Sequence, residues 1–67
     1  MSLSKKITIG IADDNAIFRA GLHKTIEGFA DLSIVVSAED IDSLFAGIGR
    51  LSAAPDICII DISMPDA

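Results

Sequence analysis

The sequence predicts an α/β fold: a doubly wound parallel sheet of three strands joined by two crossover helices, with the first strand in the middle (spatial order 2-1-3). Three observations point there. Short runs rich in Ile and Val alternate with longer segments of helical period. The chain is 51% hydrophobic but only 4% aromatic, so its apolar mass is aliphatic, as in α/β domains rather than disordered chains. The last apolar run, "ICII", has no polar alternation, the mark of a parallel strand meant for burial on both faces.

Each element follows from local pattern. "KITIGIA" (Lys6–Ala12) reads as strand 1, and Gly10 within it permits close approach by a neighbouring element, expected to be a helix. In "AIFRAGLHKTIEGF", Phe18, Leu22, Ile26 and Phe29 recur at spacings of four, four and three, giving helix 1 with its three-to-four-residue stripe. Asn15 or Asp14 caps its start and Gly28 stops it. "LSIVVSA" (Leu32–Ala38) is strand 2. "EDIDSLFAGIGRL" carries Ile41, Leu44, Phe45, Ile48 and Leu51 on one stripe and is helix 2, with Asp40 and Asp42 as helix-start charges. Gly47 and Gly49 weaken it. "SAAP" breaks the chain before strand 3, "DICIID" (Asp56–Asp61). The three phenylalanines, Phe18, Phe29 and Phe45, are expected in the core. Alternation of this kind implies right-handed crossovers and a parallel sheet.

Size and charge bound the function. Sixty-seven residues make one small domain at most, marginal without support from a ligand or partner. The single cysteine, Cys58, excludes an internal disulfide and offers no paired-ligand spacing; it is expected to be a small buried hydrophobe, as suits a cytoplasmic protein. The formal net charge of −5 disfavours direct nucleic-acid binding. No apolar run has the length of a membrane span, and "MSLSKK" lacks the apolar stretch of a signal peptide. His23 and Arg19 are expected on the solvated side of helix 1, with Arg19 near enough to the strand ends to meet a partner.

The chemistry concentrates in three carboxylates. Asp13 and Asp14 follow strand 1, and Asp61 ends strand 3. In a parallel sheet those ends point the same way, and the order 2-1-3 makes strands 1 and 3 neighbours, about 4.8 Å apart. The crevice between them is a topological switch point, where open α/β sheets bind ligands. Three converging acids repel unless one is protonated or a cation sits among them, and a hard ion such as Mg²⁺ is the natural partner. That leaves one carboxylate able to act as a phosphoryl-accepting nucleophile.

"ITIGIADDNAIFRAGLHKTI" and "PDICIIDISMP" resemble the receiver domain of two-component response regulators, most closely receivers that precede a LuxR/NarL-type helix-turn-helix output domain. The resemblance runs from about Lys6 to Asp66, strong at both acidic motifs and weak between them. It implies a flavodoxin-like, receiver-type fold, of which residues 1–67 form the N-terminal half (β1-α1-β2-α2-β3). It implies that Asp61 is the phosphoacceptor, taking a phosphoryl group from a sensor histidine kinase. Asp14 would bind Mg²⁺ directly, Asp13 mostly through water, and the backbone carbonyl of Ser63 would complete the protein ligands. The Ser63 side chain would border the phosphorylation pocket, and Met64 and Pro65 would shape the loop. Such receivers often carry glycine where Ile41 stands, so the start of helix 2 is expected to differ. A complete receiver continues into strands 4 and 5, which bring a Ser/Thr and a Lys to the phosphoryl group; Lys5, Lys6 and Lys24 come too early to be that lysine. The lone half is therefore expected to bind Mg²⁺ weakly, to be phosphorylated slowly if at all, and to self-associate through an exposed strand 3. DNA contact and transcription control would come only through an output domain beyond these residues.

Two other readings compete. An interaction or structural fragment would use the acids as caps. A Mg²⁺-dependent phosphohydrolase of the haloacid-dehalogenase kind also uses an aspartyl nucleophile, but it wants Asp-x-Asp after strand 1, and here the run is Asp13-Asp14-Asn15.

Overall fold

In the computed structural model, residues 6–63 are described. They form β1 (Ile7–Ala12), α1 (Ala16–Glu27), β2 (Leu32–Ala38), α2 (Ile41–Gly49) and β3 (Ile57–Ile60). The three strands make one parallel sheet in the order β2-β1-β3. The predicted element order, pairing direction and central strand are all observed. Met64 and Pro65, expected to shape the loop after β3, lie outside the described residues, as do Lys5 and Asp66.

Alternate residues of β1 serve opposite faces of the sheet. Ile9 and Ile11 pack with Ile26 of α1, joined by Leu22, Leu32 and Ile34. Ala12 packs with Ala38 and Leu44 of α2, joined by Val36, Ile41 and Ile48. Strand period explains the split on β1. On β2 it does not, because Leu32, Ile34, Val36 and Ala38 are all two apart yet divide between the two faces. The reason is a register shift: Ile9 pairs with Ile34, but Gly10 pairs with Val36. Val35 is the extra residue of a β-bulge, and the bulge turns the rest of β2 over by one position. Ser37 thereby joins the α1 face, and Ala38 joins the α2 face opposite Ala12.

The glycines explain how closely the layers approach. A Cβ on Gly47 would lie 2.5 Å from Val36 Cγ2, so α2 reaches the sheet only without a side chain there. Gly10 admits a strand neighbour rather than the expected helix: its Cβ would lie 3.0 Å from Val36 Cγ1 and 3.4 Å from Cys58 Sγ.

Several burial expectations are corrected. Phe18, Phe29 and Phe45 are 55–63% exposed rather than core. Residues four apart drift by about 40° per step, which carries Phe18 about 80° from Ile26. Phe45 lies about 100° round α2 from the fully buried Leu44. Phe29 falls beyond α1, whose C-cap is Gly28. Leu51 likewise follows α2 rather than joining its stripe. All four residues of β3 are exposed, Cys58 included, so "ICII" is not buried on both faces. The strand occupies a sheet edge, while the helices pack over β1 and β2.

No helix among the described residues is long and apolar enough to cross a membrane.

Candidate functional site: three carboxylates at the ends of β1 and β3

The β1–β3 ladder pairs Ile9 with Ile57 through Ala12 with Ile60, so the next residues are Asp13 and Asp61. Backbone bonds carry the pairing that far. The Asp61 N–H donates to the Ala12 carbonyl at 3.0 Å, and the Asp13 N–H donates to the Ala38 carbonyl of β2, also at 3.0 Å. The sheet itself therefore delivers the two acids side by side. At the other end of the ladder, Thr8 and Asp56 clasp each other. The Thr8 N–H and hydroxyl donate to Asp56 Oδ2 at 2.9 and 3.2 Å, and the Asp56 N–H donates back to the Thr8 carbonyl at 2.9 Å. This clasp fixes the register on which the site depends.

One carboxylate oxygen from each of Asp13, Asp14 and Asp61 lies within 4.8 Å of the other two. Asp13 is buried, Asp61 half-buried and Asp14 exposed, so the cluster grades from interior to mouth. The turn that presents Asp13 and Asp14 is built locally. Asp13 Oδ1 accepts the Asn15 N–H at 2.8 Å. Asn15 Oδ1 in turn accepts the N–H groups of Ile17 and Phe18, both at 3.0 Å, and so caps α1. Of the two caps the sequence allowed, Asn15 serves, and Asp14 is left to the site. Asp40, the helix-start acid, caps α2 by accepting the Ser43 N–H at 2.7 Å. Asp42 lies in the first turn of α2, which begins at Ile41.

Asp61 is held by Ser63, whose N–H and hydroxyl both donate to Asp61 Oδ1, at 2.9 and 2.7 Å. The hydroxyl first, then the amide, draw the Asp61 carboxyl below its ordinary range; desolvation opposes them and the Asp13 carboxyl adds a smaller lowering effect. These donors favour the ionised form of the Asp61 carboxyl.

Two residues read as solvated have structural bonds. Arg19 is half-buried, and its guanidinium donates to the backbone carbonyl of Asp13, placing one positive charge beside the acidic turn. His23 is half-buried with Nε2 2.8 Å from Ser37 Oγ, a contact that exists because the bulge at Val35 turns Ser37 toward α1. Neither carried a sequence signal beyond helical position. The Thr8–Asp56 clasp was equally silent, since its partners lie 48 residues apart.

Comparisons with family models, with curated proteins and with solved structures found no match.

Proposed function

We propose that the chain is the N-terminal half of a flavodoxin-like receiver domain. In this reading Asp61 accepts a phosphoryl group from a sensor histidine kinase, in a cytoplasmic two-component phosphorelay that controls a transcriptional output domain outside this chain. The observation that carries the proposal is the convergence of Asp13, Asp14 and Asp61 within 4.8 Å from the ends of two neighbouring parallel strands. The receiver resemblance of "ADDN" and "DISMP" supplies the roles.

The donor set fits Mg²⁺. Mg²⁺ takes oxygen ligands, commonly one or two carboxylates completed by water, and one oxygen from each of Asp13, Asp14 and Asp61 lies within 4.8 Å of the other two. Asp14, Asp61 and the Ser63 carbonyl would hold the ion, with Asp13 acting mostly through water. When bound, Mg²⁺ neutralises charge on the phosphoryl oxygens.

The residues of this chain do the rest. Asp61 Oδ1 is occupied by Ser63, so Oδ2 is the attacking oxygen. Oδ2 forms a bond to phosphorus as the P–N bond of the phosphohistidine breaks and the imidazole leaves with that electron pair. Arg19, through the Asp13 carbonyl, and Asn15, through the Asp13 carboxylate, hold the acidic turn in place.

A second reading is favoured by those same local bonds: Asp13 and Asp61 each close a turn, as the acids of a purely structural fragment would. Incubation with Mg²⁺ and a small phosphoramidate, followed by intact-mass and peptide analysis, separates the two. The receiver reading expects a slowly formed phosphoryl adduct on Asp61 that Asp61→Asn abolishes. An adduct that survives Asp61→Asn overturns it, and so does the absence of an adduct in a version of the chain extended to a complete receiver.

A further inference from the structure

Arg19 stands where helix electrostatics disfavour it. It lies in the first turn of α1, at the positive end of the helix dipole, and no acid accompanies it there. It is also the one residue from Asp14 to Ala20 that is not exposed. Its guanidinium donates to the Asp13 carbonyl, six residues back. Helix side chains lean toward the N-terminus, so a long one at this position reaches past the Asn15 cap. We infer that Arg19 is a positioning residue for the cation site: it holds the Asp13–Asp14 peptide in its ligand-presenting shape while no ion is bound. The inference rests on the cation-site reading above and deepens it.

Two effects of Arg19 on a cation oppose each other. Its positive charge beside three carboxylates repels an incoming ion, so by charge alone its removal should tighten binding. Its bond to the Asp13 carbonyl works the other way. Asp13 is otherwise tied by its N–H to the Ala38 carbonyl at 3.0 Å and by Oδ1 to the Asn15 N–H at 2.8 Å. Those bonds leave the carbonyl side of Asp13, and with it the peptide that leads into Asp14, to Arg19. The adjacent charges of Asp13 and Asp14 push the turn open when no ion is present. A turn that is competent for only part of the time binds more weakly in proportion to that fraction. Asp14, at the mouth of the site, is exposed, so salt screens the long-range repulsion, whereas a hydrogen bond from a charged donor acts at contact distance. Positioning therefore outweighs repulsion.

Mg²⁺ titration of the ¹⁵N-labelled chain, followed at the Asp14, Asn15 and Asp61 amides, tests this with two variants. Arg19→Met keeps the unbranched stem and removes the donors and the charge; Arg19→Lys keeps a charged donor. Far-UV circular dichroism and the Thr8 amide, near the far end of β1, check that each variant is folded. Arg19→Met is expected to bind Mg²⁺ about 3- to 10-fold more weakly than wild type, as follows when the competent turn falls to about a third or a tenth of the population. Arg19→Lys is expected to recover part of that loss. Without Mg²⁺ the Asp14 and Asn15 amides of Arg19→Met are expected to be displaced, and saturating Mg²⁺ to bring them back toward the saturated wild-type positions, which a general loss of fold would not allow. Equal or tighter binding by Arg19→Met, the result that charge alone predicts, overturns the inference and leaves the cation site standing. Amides that saturation leaves fully displaced overturn it as well. No response of wild type overturns the cation-site reading and the inference together.

Discussion

Thr8 and Asp56 hold each other by both main chain and side chain, at the end of the β1–β3 ladder opposite the acids. The β1–β3 ladder is four pairs long, and the clasp adds side-chain bonds to the backbone pairing that sets its register. A slip of one residue would turn Asp61 to the other side of the sheet and away from Asp13. The site is therefore maintained in part from its far end.

Removing that clasp should loosen β3 before the rest of the sheet. In Asp56→Ala the Thr8 N–H and hydroxyl lose their acceptor, at a cost of about 1 kcal/mol for each bond. Amide exchange at Ile57 to Asp61 is expected to accelerate more than exchange at Ile9 to Ala12, read by NMR. Uniform acceleration across both strands would show that the clasp serves global stability instead.

Gly47 and Gly49 should respond oppositely to alanine. Nothing lies within 4 Å of a Cβ on Gly49, so Gly49→Ala is expected to stabilise by about 0.5–1 kcal/mol through helix propensity. A Cβ on Gly47 meets Val36 Cγ2 at 2.5 Å, and overpacking of that kind costs about 1–3 kcal/mol, more than propensity returns. Urea unfolding of the two variants should move in opposite directions; stabilisation by Gly47→Ala would contradict the close approach of α2 to β2.

Acid should unfold the protein partly through its caps. The Ser43 amide, then the Ser43 hydroxyl, draw the Asp40 carboxyl below its ordinary value. A carboxyl whose value is depressed in the folded state stabilises above the unfolded value and loses that contribution as pH falls through the folded one. Asp61 acts with the same sign through Ser63. Thermal midpoints should be level from about pH 7 to 5 and fall from about pH 4 downward. Asp40→Asn keeps the cap without the charge and should fall less steeply; an identical slope would remove Asp40 from the account.

The edge position of β3 predicts self-association. Ile57 and Ile60 are 50% and 43% exposed on a strand whose outer edge is unpaired among the described residues. A second copy pairing along that edge satisfies both the backbone and the apolar faces. Light scattering should show association rising with concentration, weakened by Ile59→Lys. A monomer throughout the micromolar range would contradict this.

Much of the architecture was legible because it rests on local period. The Ile-rich run before Asp13, the stripes through Leu22–Ile26 and Leu44–Ile48, the cap at Asn15 and the helix-start position of Asp40 each follow from neighbours in sequence. The meeting of Asp13, Asp14 and Asp61 was legible too, since it needs only parallel strands in the order 2-1-3. What escaped was tertiary. Nothing in "LSIVVSA" marks Val35 as a bulge, yet the bulge decides that Ser37 meets His23 and Ala38 meets Leu44. Phe18 and Phe45 have core chemistry, but helix rotation carries them off the buried stripe. Cys58 reads as buried only if helices cover β3, and the described helices lie over β1 and β2. The bonds of Arg19 and Ser63 to the acidic site depend on side-chain direction, which spacing does not encode.

The central claim is that β1 and β3 together make one cation site. Mg²⁺ titration of the ¹⁵N-labelled chain, read at individual amides, tests it most directly. The amides of Asp13, Asp14 and Asn15 should shift along the same binding curve as those of Asp61 and Ser63, and Asp13→Asn should weaken both sets together. Response of one segment alone, separate curves for the two, or no response at tens of millimolar Mg²⁺ would contradict it.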